Sequence, residues 1–155
     1  MNTYLLNVTD TENLNGGRYP AYEVLKYRLG HSVWGLNKNT RFNSSISAGD
    51  RLLFYVAGNL VGHGCIVAQA YVKGIIPFEE TFVKDYYDES KHYSDTPSKL
   101  LKLEKVKYFD KPFNMRDNLA KLSFFKGNWE KWGCYMQGGV KRLNESDYNV
   151  VKELI

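Results

Sequence analysis

The chain has 155 residues, 43% hydrophobic and 25% charged, with a formal net charge of +4. That length can bury a core without staples, and the composition excludes a disordered or fibrous chain. The charge is mild, so it permits a polyanionic partner without demanding one. Asn2, Asn7 and Asp10 interrupt the only apolar stretch near the start, and no run has the length to cross a bilayer. A cytoplasmic protein with no membrane partner is expected, folded as one domain over 1–155. Cys65 and Cys134 lie far apart with no His or Cys at ligand spacing, so there is no zinc motif, and a disulfide between them stays open. Aromatic residues make up 15% of the chain. That share fits either a β-rich core or a surface that stacks on planar groups.

In chain order, Tyr4–Val8 reads as a strand. The cluster Thr9-Asp10-Thr11-Glu12 reads as a loop and helix start, with Asp10 as a cap. Gly16-Gly17 breaks the chain, and Tyr22, Leu25, Tyr27 and Leu29 form a short helix closed by Gly30. Residues 38–47 are polar and turn-rich and lead into the tight turn at Gly49-Asp50. Residues 51–57 and 60–72 form a hairpin joined at Gly58-Asn59. Gly62, Gly64, Ala68 and Ala70 mark its second strand as one that bends or is closely approached. Residues 84–99 form an exposed loop whose Tyr86, Tyr87 and Tyr93 are lid residues or packing beneath it. A strand at 100–108, where the leucine spacing also fits a helix, ends at Asp110-Lys111-Pro112. Gly133–Lys141 reads as a last strand, and Asn144 caps a terminal helix with Glu145 and Asp147 in its first turn. Strand, helices, a run of strands and a final helix give an α+β fold around a small, strongly curved sheet or barrel.

Enzyme signatures are missing. Gly62-His63-Gly64 lies inside the hairpin and not between a strand and a helix, so it is no phosphate loop. There is no nucleophile elbow and no pair of histidines at helical spacing. His63 is either a ligand contact at the mouth of the sheet or a structural histidine. The acidic residues Glu79-Glu80 and Asp85/Asp88 read as a solvated face. Nothing supports catalysis, a cofactor or a metal, and the chain is read as a binding module.

Three blocks carry a resemblance: Val33-Trp34-Gly35-Leu36; Ile46 through Val56 with its Gly49-Asp50-(x)3-Phe54-Tyr55 pattern; and Trp132-Gly133-Cys134-Tyr135-Met136 through Leu143 before Asp147-Tyr148. With the opening strand and Val61–Val67, this ordered set resembles the EVE domain family of the PUA-like superfamily, related to the YTH readers of methylated adenine. The match runs from residue 3 to residue 154; the insert at 15–32 and the loop at 84–99 depart from the compact pattern. The resemblance implies a PUA-like curved sheet or barrel with flanking helices, and a pocket for a flipped, modified base of DNA or RNA. Relatives also serve as specificity domains of McrBC-type modification-dependent restriction GTPases. It thus allows a fused or associated restriction GTPase or nuclease as partner. The rival functions are a small-molecule domain for a free nucleotide or planar ligand, and a protein-interaction module using the 84–99 loop.

Unstacking a base costs a few kcal/mol, and an aromatic wall returns ~1–3 kcal/mol. A buried methyl adds about 0.8 kcal/mol. By resemblance Trp34 is the stacking wall, its other reading being a core indole. Phe54 and Tyr55 point to opposite faces of one strand, so one lines the pocket and the other the core. Trp132 is a second candidate by resemblance only, whereas Trp129 packs a helix. Asn7, Thr9 and Asp10 offer donors and acceptors for a base edge, helix capping being the other reading of Thr9 and Asp10. Lys38 and Arg41, flanking the Trp34 loop, and Lys126, Lys131 and Arg142 are expected to hold phosphates as a basic rim. Singly, each reads equally as a solvated charge.

Overall fold

Alternation along the strands sorts most of the apolar side chains into two large clusters on opposite faces of one sheet, with a small third one around Val24 and Leu100. The computed structural model describes residues 1–12, 17–57, 64–79, 97–136 and 139–155. β1 (Thr3–Val8) runs parallel to β5 (Arg51–Val56), with Leu6 opposite Phe54. β6 (Cys65–Pro77), β7 (Lys99–Asn114), β4 (Val33–Leu36) and β8 (Val140–Leu143) join by antiparallel pairing. The six-stranded order is β4-β7-β6-β5-β1-β8. Tyr4, Leu6, Val8, Leu52, Phe54 and Val56 enter an inner cluster, and Leu5, Leu53 and Tyr55 an outer one. This is the period-two consequence of two strands paired without a slip. β5 is buried along its whole length, as its central place requires.

The sheet curls because its longest strands are bulged. Register shifts interrupt β5/β6 between Phe54 and Tyr55, and β6/β7 at Ile66/Ala68, Gln69/Tyr71 and Val72/Gly74. Each bulge bends its strand and raises the local twist. Ala68 and Ala70 face the inner cluster and leave room for the curl. Helix α1 (Ala21–Gly30) fills the remaining gap, touching both β1 and β4 and burying Ala21, Leu25 and Leu29 in the inner cluster. The outer cluster is covered by α2 (Met115–Asn118), by 3-10 turns at Leu119–Lys121 and Trp129–Met136, and by α3 (Glu145–Leu154). Arg51 clamps α3 to the sheet: its guanidinium lies 3.7 Å from the Tyr148 ring centroid and donates to Tyr71 Oη at 3.2 Å and Thr3 Oγ1 at 3.1 Å.

Several expectations hold. The helix at 22–29 and the hairpin strands are present, and β6 bends where its small residues lie. Asn144 Oδ1 accepts the Asp147 N–H at 2.7 Å and caps α3.

Three expectations are corrected. No helix starts at Thr9–Glu12: Thr11–Glu12 (β2) pairs with Arg18–Tyr19 (β3) as a short ribbon. Asp10 does cap a helix, but across the ribbon, accepting the Ala21 N–H of α1 at 2.9 Å. The strand expected to stop at Asp110–Pro112 runs on to Asn114. Ala68 pairs with Tyr108 and Ile66 with Phe113, so one residue of β6 faces residues 109–112, and Pro112 sits where no ladder N–H is needed. The last strand is only Val140–Leu143, because Trp129–Met136 coils into 3-10 turns that bury Met136. The Gly58-Asn59 turn, His63, Asp85, Asp88 and the tyrosines at 86, 87 and 93 lie outside the described residues.

The expected turn before β5 is built around Asp50, which is 2% exposed. Its carboxylate accepts the Asn2 N–H at 2.8 Å and the Ser47 N–H at 2.9 Å, tying the start of β1 to the turn. Asp50→Ala leaves both amides without that acceptor. It should lower the unfolding free energy by about 2 kcal/mol or more. In urea the midpoint should fall at constant slope; an unmoved midpoint would show that water replaces the carboxylate.

Candidate functional site

The two edge strands of the sheet, β4 and β8, line one pocket of about 160 Å³. The curl brings them together, and the end of β1 and one side of α1 close the space between. Trp34 and Gly35 come from β4, Gly139 and Val140 from the approach to β8, Asn7 and Thr9 from the end of β1, and Arg28 from α1. The volume lies below the ~300–1,000 Å³ of drug-sized sites. It suits one planar ring system better than a larger ligand.

Trp34 meets both of its readings. It is 7% exposed and belongs to the inner cluster, yet it lines the pocket. Phe54, itself fully buried, backs it with ring centroids 5.0 Å apart and planes tilted by 57°. The Arg28 guanidinium lies 5.2 Å from the indole centroid. Packed against these two side chains, the indole is held in place before any ligand arrives.

Asn7 is the polar counterpart. Its backbone N–H donates to Gly139 O and its Nδ2 to Met136 O, both at 2.7 Å. Because only the NH2 end can donate to a carbonyl, the amide orientation is fixed. Oδ1 is shielded from solvent with no hydrogen-bond partner among the described residues. Asn7 borders the pocket along β1, but it alternates with the inner Leu6 and Val8 and its amide lies on the outer side, toward Met136; the guanidinium of Arg28, which is 5% exposed, forms another wall.

The structure gathers Trp34, Asn7 and Thr9 in this pocket and separates the other candidates. Phe54 stands behind the indole, not on the pocket surface. Tyr55 points into the outer cluster, where burial first and the Cys65 thiol second push its phenol above the ordinary value. Trp132 packs against that same outer cluster, on the far face of the sheet from Trp34. Trp129 is exposed and stacks on Phe125 at 4.6 Å. Asp10 holds α1 and lies 3.8 Å from Arg18.

The cations do not form one rim. Lys38 is exposed beside Asn37, a pocket residue. Arg41 and Arg142 line a second, larger cleft of about 610 Å³, in which Arg142 donates to Asn2 Oδ1 at 2.6 Å. Lys126 and Lys131 are exposed in the segment over the outer cluster and line neither space. Cys65 and Cys134 are free thiols. Among the described residues no acidic, His or Cys group is arranged to hold a metal, and no helix is long and apolar enough to cross a membrane.

Sequence reasoning missed Arg28, Thr40, Gly139 and Lys141. Arg28 carried a signal: it lies four residues after Val24 and three after Leu25, on the buried side of α1. A cation on an apolar helix face marks a site where the charge is used.

A curled mixed sheet with helices on its outer face is the PUA-like α+β fold. No protein-family model and no curated protein sequence matches the chain. Solved structures do. Human THYN1, in complex with DNA containing 5-methylcytosine, is similar over 99% of this chain and 97% of that one, with TM-score 0.56 and 13% identity. An ASCH protein of Zymomonas mobilis is similar over 98% and 94%, with TM-score 0.57 and 10% identity. A Pseudomonas syringae protein is similar over 98% of both chains, with TM-score 0.58 and 14% identity. At these identities the likeness is one of fold.

Asn7→Ala removes the side-chain link to Met136 O but keeps the backbone link to Gly139. A loss of ~1 kcal/mol is expected, with faster amide exchange around Met136 and Gly139 and little change in α3. Uniform acceleration across the chain would instead mean that Asn7 supports the whole sheet.

Proposed function

We propose that the chain is a nucleic-acid-binding module of the EVE type that takes a flipped, modified base into the Trp34 pocket. The observation that carries this reading is the pocket itself: a one-ring space with a buried indole wall backed by Phe54 and the Arg28 guanidinium beside it. The likeness to THYN1, whose structure holds methylcytosine DNA, supports it. The ASCH likeness is equally strong in fold; the Trp-Gly pair and the Gly-Asp-(x)3-Phe-Tyr strand favour EVE. Thr9 completes the base-reading set, and Lys38 stands nearest as a phosphate contact.

Used as a specificity domain, the module would direct a fused or associated restriction GTPase or nuclease to modified sites. The chain itself performs no chemistry in this reading.

The test is fluorescence anisotropy with single- and double-stranded DNA and RNA, plain or carrying 5-methylcytosine or N6-methyladenine. Trp34→Ala is a poor probe, because truncating so buried an indole costs ~3–5 kcal/mol of stability. Trp34→Phe keeps a ring and reduces the stacking area. One modified oligonucleotide should bind more tightly than its plain counterpart, and Trp34→Phe should weaken it at least ~fivefold at unchanged salt dependence. Equal binding of modified and plain oligonucleotides, or of variant and parent, would overturn the base-reading assignment.

A further inference from the structure

The larger cleft adjoins the Trp34 pocket along two stretches of chain. Thr40 and Val140 line the pocket, while their neighbours Arg41 and Lys141 line the cleft. Consecutive Cα atoms are ~3.8 Å apart, so a single residue step of chain separates the linings on both sides; on β8 Val140 and Lys141 point to opposite faces, and this edge strand stands between pocket and cleft. The cleft is built differently from the pocket. Arg41, Lys141 and Arg142 supply three cations, and none forms an ion pair among the described residues. Lys141 is half-buried, and burial first and the Arg41 charge second lower its ammonium below the ordinary lysine value. None of the three is paired with a carboxylate among the described residues, so an anion between them would relieve their mutual repulsion.

Aromatic rings flank these cations. Lys141 Nζ lies 4.8 Å from the Phe124 centroid and the Arg41 guanidinium 4.9 Å from that of Phe42. Phe42 has φ +63°, a conformation a bulky residue seldom adopts, and its ring packs on Tyr4 at 5.6 Å. The turn thus holds Arg41 and Phe42 at the cleft at the expense of backbone strain. Two carboxylates also line the cleft. Asp147 is committed to the Ser123 N–H and Oγ, both at 2.7 Å, and Glu145 is exposed at the start of α3.

We propose that this cleft is the subsite for the nucleotide next to the flipped base, with Arg41 and Lys141 on its phosphate and Phe124 beneath its base or sugar. The inference rests on the Trp34 pocket being a base site and adds that the ligand is an unpaired oligonucleotide of at least two residues, not a free nucleotide. A cavity several times the pocket's volume, cationic and ring-lined, has the make-up of single-strand sites, which pair backbone charges with stacking rings.

The experiment compares three probes on the full chain: 5-methyldeoxycytidine, the trinucleotide dT-5-methyl-dC-dT and inorganic phosphate. Lys141→Met keeps most of the apolar stem, and Arg41→Ala alters an exposed side chain. The trinucleotide should bind each variant about tenfold more weakly, with the salt slope reduced by about one for each lost cation. Nucleoside binding should not change. Trinucleotide binding that is the same in both variants overturns the subsite and leaves the base pocket standing. If neither nucleoside nor trinucleotide binds, the base reading fails. Amide shifts at 41–42, 123–124 and 141–143 with inorganic phosphate alone would then define a free-phosphate site, and their absence would leave no anion site; either result overturns the oligonucleotide subsite.

Discussion

Everything functional in this molecule depends on the curl of one sheet. A flat six-stranded sheet would place β4 and β8 at opposite ends, five strand spacings of ~4.8 Å apart, and no pocket could include both. The bulges in β5, β6 and β7 and the alanines on the inner face of β6 turn that distance into a closure that α1 completes. The pocket is therefore not an indentation in a loop. It is what remains of the seam where the sheet nearly meets itself, and its walls are as rigid as the core behind them.

That origin explains why the indole is both core and wall. Trp34 must pack on Phe54 for the inner cluster to close, and the same packing fixes the face that it offers to the pocket. A pocket wall on a mobile loop would lose rotamer freedom on binding; this one loses it on folding, where core burial offsets the cost. Asn7 secures the seam from the other face, its amide donating to Met136 O above the outer cluster.

Local features were legible in the sequence. The Asn144 cap, the α1 segment and the opposite faces of Phe54 and Tyr55 follow from spacing and side-chain chemistry within a few residues. The errors share one cause: the deciding partner was remote. Asp10 caps a helix eleven residues away because a ribbon brings it there. Pro112 sits inside a strand because a bulge absorbs its missing N–H. Trp132 resembles Trp34 in its Trp-Gly context, yet the coil at Trp129–Met136 delivers it to the outer cluster. Lys126 and Lys131 go with it, so a rim imagined around one pocket divides between two faces of the sheet.

The division of charge bears on how selectivity arises. A base pocket ringed by lysines would bind any polyanion nearly as well as the right one, because phosphate contacts carry no base information. Here the small pocket holds a single buried guanidinium against an indole, and the clustered cations stand one residue step away in a larger space. In the proposed reading, attraction to the backbone and reading of the base would rest on different side chains. Salt would weaken the first strongly and the second little, so modest overall charge would suit the proposed reading. A net charge of +4 is compatible with such a separation, since a more basic surface would hold any polyanion with less regard to its bases.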